Sequence, residues 1–283
     1  MPRNSRVRSA LSLGGLLLAT AAFAQGEERV SAFGPGEEST YEISYLGVTA
    51  GTARITVGAE NRQWGEQVLP IVTHARSEGV VELFPIRDKF VSYWQPTQER
   101  SLGNDFFQDE NRVRRRQRMK FDHESGRATV VRQKEGGGER THDYDIQSGT
   151  VDIAAAMFAL RNKPLEVGRE FEVPVFTGAK SFTLRAKVEA REKISTKLGT
   201  REAFRIRVQT GFAGKFESKR DLTAYMLTDD TRLPVRIEAD FVLGTVAAEL
   251  QDYKGGRRYA LSPLPGNGEA SGAKVETAIA PPG

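Results

Sequence analysis

Apolar and polar residues alternate with a period of two through most of this chain. Tyr41, Ile43 and Tyr45 fall on one side of an extended segment with Glu42 and Ser44 opposite, and after Gly47 the pattern resumes through Ala53, Ile55 and Val57. Such alternation marks half-buried antiparallel strands, so these two segments predict a first hairpin. The same reading predicts strands at 68–74, 80–84, 90–94, 112–121 and 128–131, then at 171–176, 181–188, 203–209, 222–227, 235–241 and 246–250. Turn chemistry separates them: 122–126 ends in Ser-Gly, 135–138 reads Glu-Gly-Gly-Gly, and 177–180 and 229–231 are short polar connections. Pro234 opens a strand, where its missing N–H does least harm.

One segment breaks the period. Residues 151–162 hold three consecutive alanines, with Thr150 or Asp152 placed to cap and Pro164 just beyond to stop the chain, which predicts a short helix. Ile153, Met157 and Leu160 line one side of it, and an apolar side must be buried somewhere. The expected architecture is mainly β: a strongly curved antiparallel sheet or open half-barrel, with this helix covering its concave face. Aromatic residues fall within the strands, among them Phe84, Phe90, Tyr93, Trp94, Phe106 and Phe107. They read as core, or as the lining of a cavity for an apolar ligand under Ile153, Met157 and Leu160.

The N-terminus changes the compartment. Arg3, Arg6 and Arg8 precede an apolar run from residue 11 to 24 that ends Ala22-Phe23-Ala24. A basic start, a short apolar run and an A-x-A site predict a signal peptide over 1–24, cleaved after Ala24. The run is short of the roughly 20 apolar residues that a spanning helix needs. There is no cysteine, hence no disulfide and no thiol for lipidation. Residues 25–35 and the Gly/Pro/Ala-rich 255–283 read as flexible flanks of a single β-rich domain over 36–254. The chain is expected to be periplasmic and soluble, with no transmembrane segment after cleavage.

Charge then loses most of its meaning. The net +4 comes from 41 basic against 37 acidic residues, and three of the basic ones lie in the signal peptide, leaving 38 against 37. A nucleic-acid partner is not expected on that balance. The histidines, His74, His123 and His142, have no second ligand type at metal spacing, so neither a metal nor a cofactor is expected. G-x-S-x-G is missing, and Gly211 to Lys215 lacks the spacing of a phosphate loop.

The sharpest charge feature is the strand expected at 112–121. There Arg112, Arg114, Arg116, Arg118 and Lys120 would point one way, about 6 to 7 Å apart, with Val113, Arg115, Gln117, Met119 and Phe121 on the other side. Two readings stand: a solvated outer face whose neighbouring strands supply Asp and Glu, or a candidate contact for anionic lipid or acidic envelope glycan.

Several blocks in order carry a family resemblance. Gly36-Glu-Glu-Ser-Thr-Tyr-Glu-Ile-Ser-Tyr45, Phe84-Pro-Ile-Arg-Asp88, Asp152-Ile-Ala-Ala-Ala-Met-Phe-Ala-Leu-Arg161 and Leu227-Thr-Asp-Asp-Thr-Arg-Leu-Pro-Val-Arg236 together resemble the bacterial domain of unknown function 3108. The resemblance implies an exported, mainly β envelope protein and supplies no activity. The block from Asp230 also resembles the end of the half-barrel carriers that move lipoproteins across the periplasm, a likeness of fold. The expected function is non-enzymatic binding of a hydrophobic or anionic envelope component. The alternatives are a scaffold that binds another envelope protein and a hydrolase acting on glycan.

Overall fold

The structure, a computed structural model, describes residues 29–78, 85–111, 113–210, 221–241 and 244–262. The expected signal peptide with Ala24, the strand expected at 80–84, the 211–215 segment, Arg112 and residues 263–283 lie outside these ranges. A 15-stranded antiparallel sheet dominates the fold. At its centre β2 (Glu38–Tyr45) and β3 (Val48–Val57) form the predicted first hairpin. From β3 the chain runs outward through β5 (Glu66–Ser77), β6 (Arg87–Gln95), β7 (Arg100–Glu110), β8 (Val113–Asp122), β9 (Arg127–Lys134) and β10 (Glu139–Asp145), while β4 (Asn61–Gln63) pairs only with β5.

The helix α1 (Ile153–Arg161) then crosses to the opposite edge. There β11 (Glu170–Phe176), β12 (Ser181–Thr196), β13 (Gly199–Thr210), β14 (Asp221–Leu227), β15 (Pro234–Phe241) and β16 (Gly244–Lys254) return in order until β16 pairs with β2. The edges β10 and β11 do not pair with each other, so the sheet stays an open curve rather than a barrel.

The helix forms where its cap and its alanines predict it. Asp152 caps it by accepting from the backbone N–H groups of Ala154 and Ala155 at 3.1 and 3.0 Å. The space beneath it is filled by side chains rather than open: Val57, Leu69, Ile71, Trp94, Val175, Val188, Ile206 and Met226 are all at most 2% exposed and pack with Ala155, Ala156, Phe158 and Leu160. Of the three residues expected to line one apolar side, Leu160 is buried and Met157 packs at the edge of the core, but Ile153 is 46% exposed. Ile153 begins the first turn, where the helix emerges from the core beside its cap.

The flanks differ from the flexible segments expected. β1 (Arg29–Val30) pairs with β17 (Ala260–Leu261), and Ser31, Ala32 and Phe33 are at most 2% exposed. Phe33 meets Trp94, Phe158 and Tyr259 edge to face, so 29–37 forms a strap over the end of α1. Apolar content supplies the reason: Ala32 and Phe33 sit beside a helix end that would otherwise be bare, and burying them offsets the entropy of ordering the strap.

Candidate anion-binding site

The arginine-rich strand folds as β8 with the predicted alternation, and its neighbours supply acids to the outer face. Arg118 donates to Asp105 at 3.0 Å, Arg116 lies 3.6 Å from the same carboxylate, and Arg114 reaches Asp109 and Glu135 at 3.6 and 3.4 Å. The register explains this pairing, since Asp105 stands opposite Arg118 and Asp109 opposite Arg114. The Arg116 guanidinium also lies 4.7 Å from the centre of the Phe107 ring. Lys120 is exposed on the same face. Arg114, Arg116 and Arg118 thus meet acids across the strands, with Asp105 shared by two of them, whereas Lys120 forms no ion pair among the described residues.

Further cations without acids lie on the other face. Arg115 and Gln117 alternate with the outer arginines and share a face with the buried Met119 and Phe121. Arg115 stands directly opposite Lys134 of β9, and Arg132 of β9 directly opposite Arg140 of β10. Like charges at directly opposed positions destabilise a sheet. Among the described residues none of these four forms an ion pair.

Together with Phe106, Gln108 and Gln117 they line a pocket of about 480 Å³ that reaches the Gly137-Gly138 turn between β9 and β10. Phe106 stacks near Phe90, with ring centres 5.8 Å apart, and supplies an apolar floor. Arg132 is held in place, donating from Nε to the Gln117 amide oxygen at 3.0 Å and from Nη2 to the carbonyl of Gly178, in the β11–β12 turn. Arg132 thus ties the β8–β9 part of the sheet to the β11–β12 turn. Glu139 is the one carboxylate among its lining residues.

An acidic pair lies further along this face. Asp88, two positions before Phe90, accepts from the Asp109 N–H at 2.9 Å, and burial, reinforced by the neighbouring Glu110, pushes its carboxyl up to about 6. A folded-state value above the unfolded one, about 3.9, means that the folded protein holds this proton more tightly. The stabilisation it brings is complete below about pH 4 and is lost as the pH rises through about 6. Asp88→Asn, which keeps the acceptor for Asp109, is expected to flatten that decline in urea unfolding measured across this pH range; an unchanged slope contradicts the assignment.

Among the described residues no group of His, Cys, Asp and Glu is placed to hold a metal ion, and no helix is long and apolar enough to cross a membrane. The pocket chemistry that remains is recognition of negative charge beside an apolar surface. Of its lining residues the sequence pattern singled out Arg116, and with it the strand that carries Arg115. Arg132, Lys134 and Arg140 lie in other segments, and their convergence depends on a cross-strand register that no local motif encodes.

The profile of a family described as a protein of unknown function, DUF3108, matches residues 40–251. No curated protein matches the chain. Among solved structures, it is similar to a β-barrel-like protein of domain of unknown function DUF1849 from Brucella abortus, with a TM-score of 0.53 and 9% identity over 80% of this chain and 99% of that one. It is also similar to a DUF1089 family protein from Pseudomonas aeruginosa, with a TM-score of 0.38 and 11% identity over 66% of this chain and 88% of that one. The first likeness is one of fold.

Proposed function

The chain belongs to the DUF3108 family of proteins of unknown function, and from that premise we propose that it is an exported periplasmic protein that binds, without turnover, an anionic envelope amphiphile. The observation that carries this reading is the face of Arg115, Arg132, Lys134 and Arg140, which sets two like-charged pairs side by side with no acid bridging them. A fold keeps such an arrangement at a cost in stability, and an anion bound among the four offsets it. The pocket volume lies within the range of small-molecule sites, and the Phe106 floor suits the apolar part of a ligand next to its charged head. Glycoside hydrolysis uses two facing carboxyl groups, whereas Glu139 stands alone among the lining residues, which supports binding over catalysis.

Lipid extracted from the protein purified out of its native envelope, identified by mass spectrometry, tests the reading. A bound phosphorylated or otherwise anionic amphiphile is expected, and repeated recovery of none, or of neutral lipid alone, overturns it. The like-charge pairs make a second expectation. Arg115→Gln with Arg140→Gln removes one cation from each pair, so the melting temperature is expected to stay level or rise while anion binding weakens. A clear loss of thermal stability would mean that the two arginines serve the fold instead.

A further inference from the structure

The hairpin tip between β2 and β3 is built against the usual preferences. Leu46 and Gly47 connect the paired residues Tyr45 and Val48, and both have positive φ, 51° and 78°, as a two-residue type I′ turn requires. The first of these positions normally takes Asn, Asp or Gly, because in the left-handed region a Cβ crowds the following carbonyl oxygen, and Asn and Asp offset this with local hydrogen bonds. Here it holds a leucine that is 62% exposed, flanked by Tyr45 at 38% and Val48 at 55%. The Trp64-Gly65 turn repeats this geometry, but at Leu46 the strain is joined to an apolar side chain standing in solvent, which gives the fold nothing.

The tip itself and its β16 side carry no charge, while on β5 the nearest charges, Arg76 and Glu78, pair with each other beside Ala50 and Thr52. Residues 43–53 and, on the neighbouring strand, 244–248 carry no charge in a chain whose composition is 28% charged, so a stretch of this combined length would ordinarily hold about four or five. The antiparallel registers also place this tip on the rim where the anion pocket opens. Gly51 pairs with Ser77, Arg76 with Arg87, Ile86 with Glu110, Glu110 with Val113 and Arg115 with Lys134. Val113, 44% exposed, adds a further apolar group on that rim. Four strand spacings, about 19 Å along the sheet, separate β3 from β8.

We propose that this rim docks on an anionic bilayer surface, with Tyr45, Leu46 and Val48 entering the interface and the unpaired cations of the pocket facing the headgroups. Three side chains on one turn are far less than the roughly 800 Å² per partner of a stable protein interface. At a bilayer, by contrast, each buried apolar group contributes on its own, and cations near anionic headgroups add to it. An uncharged tip is what such an insertion demands, since a charge carried into hydrocarbon is costly. The proposal deepens the reading above, making the ligand a lipid met at the membrane, and rests on it for the choice of an anionic surface.

Co-sedimentation of the purified protein with vesicles of phosphatidylglycerol and phosphatidylcholine, against vesicles of phosphatidylcholine alone, tests this at low salt. Leu46→Asn with Val48→Thr removes the apolar tip while relieving the turn. It is expected to pellet with the anionic vesicles roughly tenfold less than the unaltered protein. Its melting temperature should be no lower, and its binding of monomeric lysophosphatidylglycerol should be unchanged. The proposal is overturned if the unaltered protein does not pellet with anionic vesicles, if the tip variant pellets as well as it does, or if a crosslinker at position 46 captures a stoichiometric protein and no lipid. Loss of pelleting in Arg115→Gln with Arg140→Gln but not in the tip variant leaves the pocket reading standing and removes the tip from it.

Discussion

Arg161→Met is expected to destabilise the protein by about 3–5 kcal/mol, the usual consequence of stripping one partner from a buried ion pair. Arg161 is 1% exposed and Glu37 3%, and the two meet through paired bonds of 2.6 and 2.9 Å. The same guanidinium donates to the carbonyls of Ala32 and Thr231, and its centre lies 5.3 Å from the Phe33 and Phe158 rings. It therefore fastens the end of α1, the 29–37 strap and the turn before β15 to one another. Removing it leaves the Glu37 carboxylate buried with only the Tyr253 hydroxyl, at 3.2 Å, still donating to it. At about 2–4 °C per kcal/mol for a domain of this size, the melting temperature should fall by about 6–20 °C. Arg161→Met combined with Glu37→Met should restore much of the loss, because apolar replacement of both partners removes the unpaired charge. A single variant that melts within about 2 °C of the parent contradicts the account of this pair.

Asp152→Ala is expected to cost about 2–4 kcal/mol at the other end of the helix. It removes the cap that satisfies the Ala154 and Ala155 N–H groups, typically about 1 kcal/mol. It also strands the buried hydroxyl of Ser92, which donates to the second carboxylate oxygen at 2.6 Å, whereas Ser101, at 2.5 Å from the same oxygen, keeps the Gly103 carbonyl at 3.1 Å as an acceptor, and an unsatisfied buried group costs about 1–3 kcal/mol. Burial raises the Asp152 carboxyl above its ordinary range despite these four donors. Asp152→Asn, which keeps the capping oxygen and drops the charge, should therefore cost clearly less than the alanine. Urea unfolding of the two variants side by side checks the order, and equal losses would mean that the capping contact contributes nothing.

These two residues show what a single sequence carries and what it does not. Asp152 was legible, beside Thr150, as a candidate cap because capping is a local rule, and the helix at Ile153–Arg161 lies within the 151–162 expected. The partners of Asp152 were not, because Ser101 lies in β7, whose Gly103-Asn104-Asp105 run has turn composition. Gly103 in fact sits within the strand at a φ of 127°, beside the register shift between Ser92 and Trp94. β10 was missed for a related reason: as an exposed edge it has no apolar alternation to reveal it. The β12–β13 pairing extends beyond the segments expected, and a bulge between Val188 and Ala190 shifts the parity that alternation relies on.

Electrostatics was legible in part. Five cations at alternate positions announce themselves, but the acids that meet Arg114, Arg116 and Arg118, Asp105 and Asp109 on β7 and Glu135 beyond β9, are assigned by register rather than by spacing. The same register creates the pocket from Arg115, Arg132, Lys134 and Arg140: Arg132 and Lys134 alternate on one strand, but only register brings them to Arg115 and Arg140. Arg161 and Glu37 are more than 120 residues apart, and only folding brings them together.

The measurement that tests the central claim most directly is calorimetric titration of the purified protein with lysophosphatidylglycerol and with lysophosphatidylcholine below their micelle concentrations, repeated with Arg115→Gln plus Arg140→Gln. The account predicts saturable binding of the anionic lipid, weakening as salt rises, and at least a roughly tenfold loss in the double variant, with the zwitterionic lipid bound more weakly throughout. Equal affinity for the two lipids, or an anionic affinity that the double variant leaves unchanged, would contradict it.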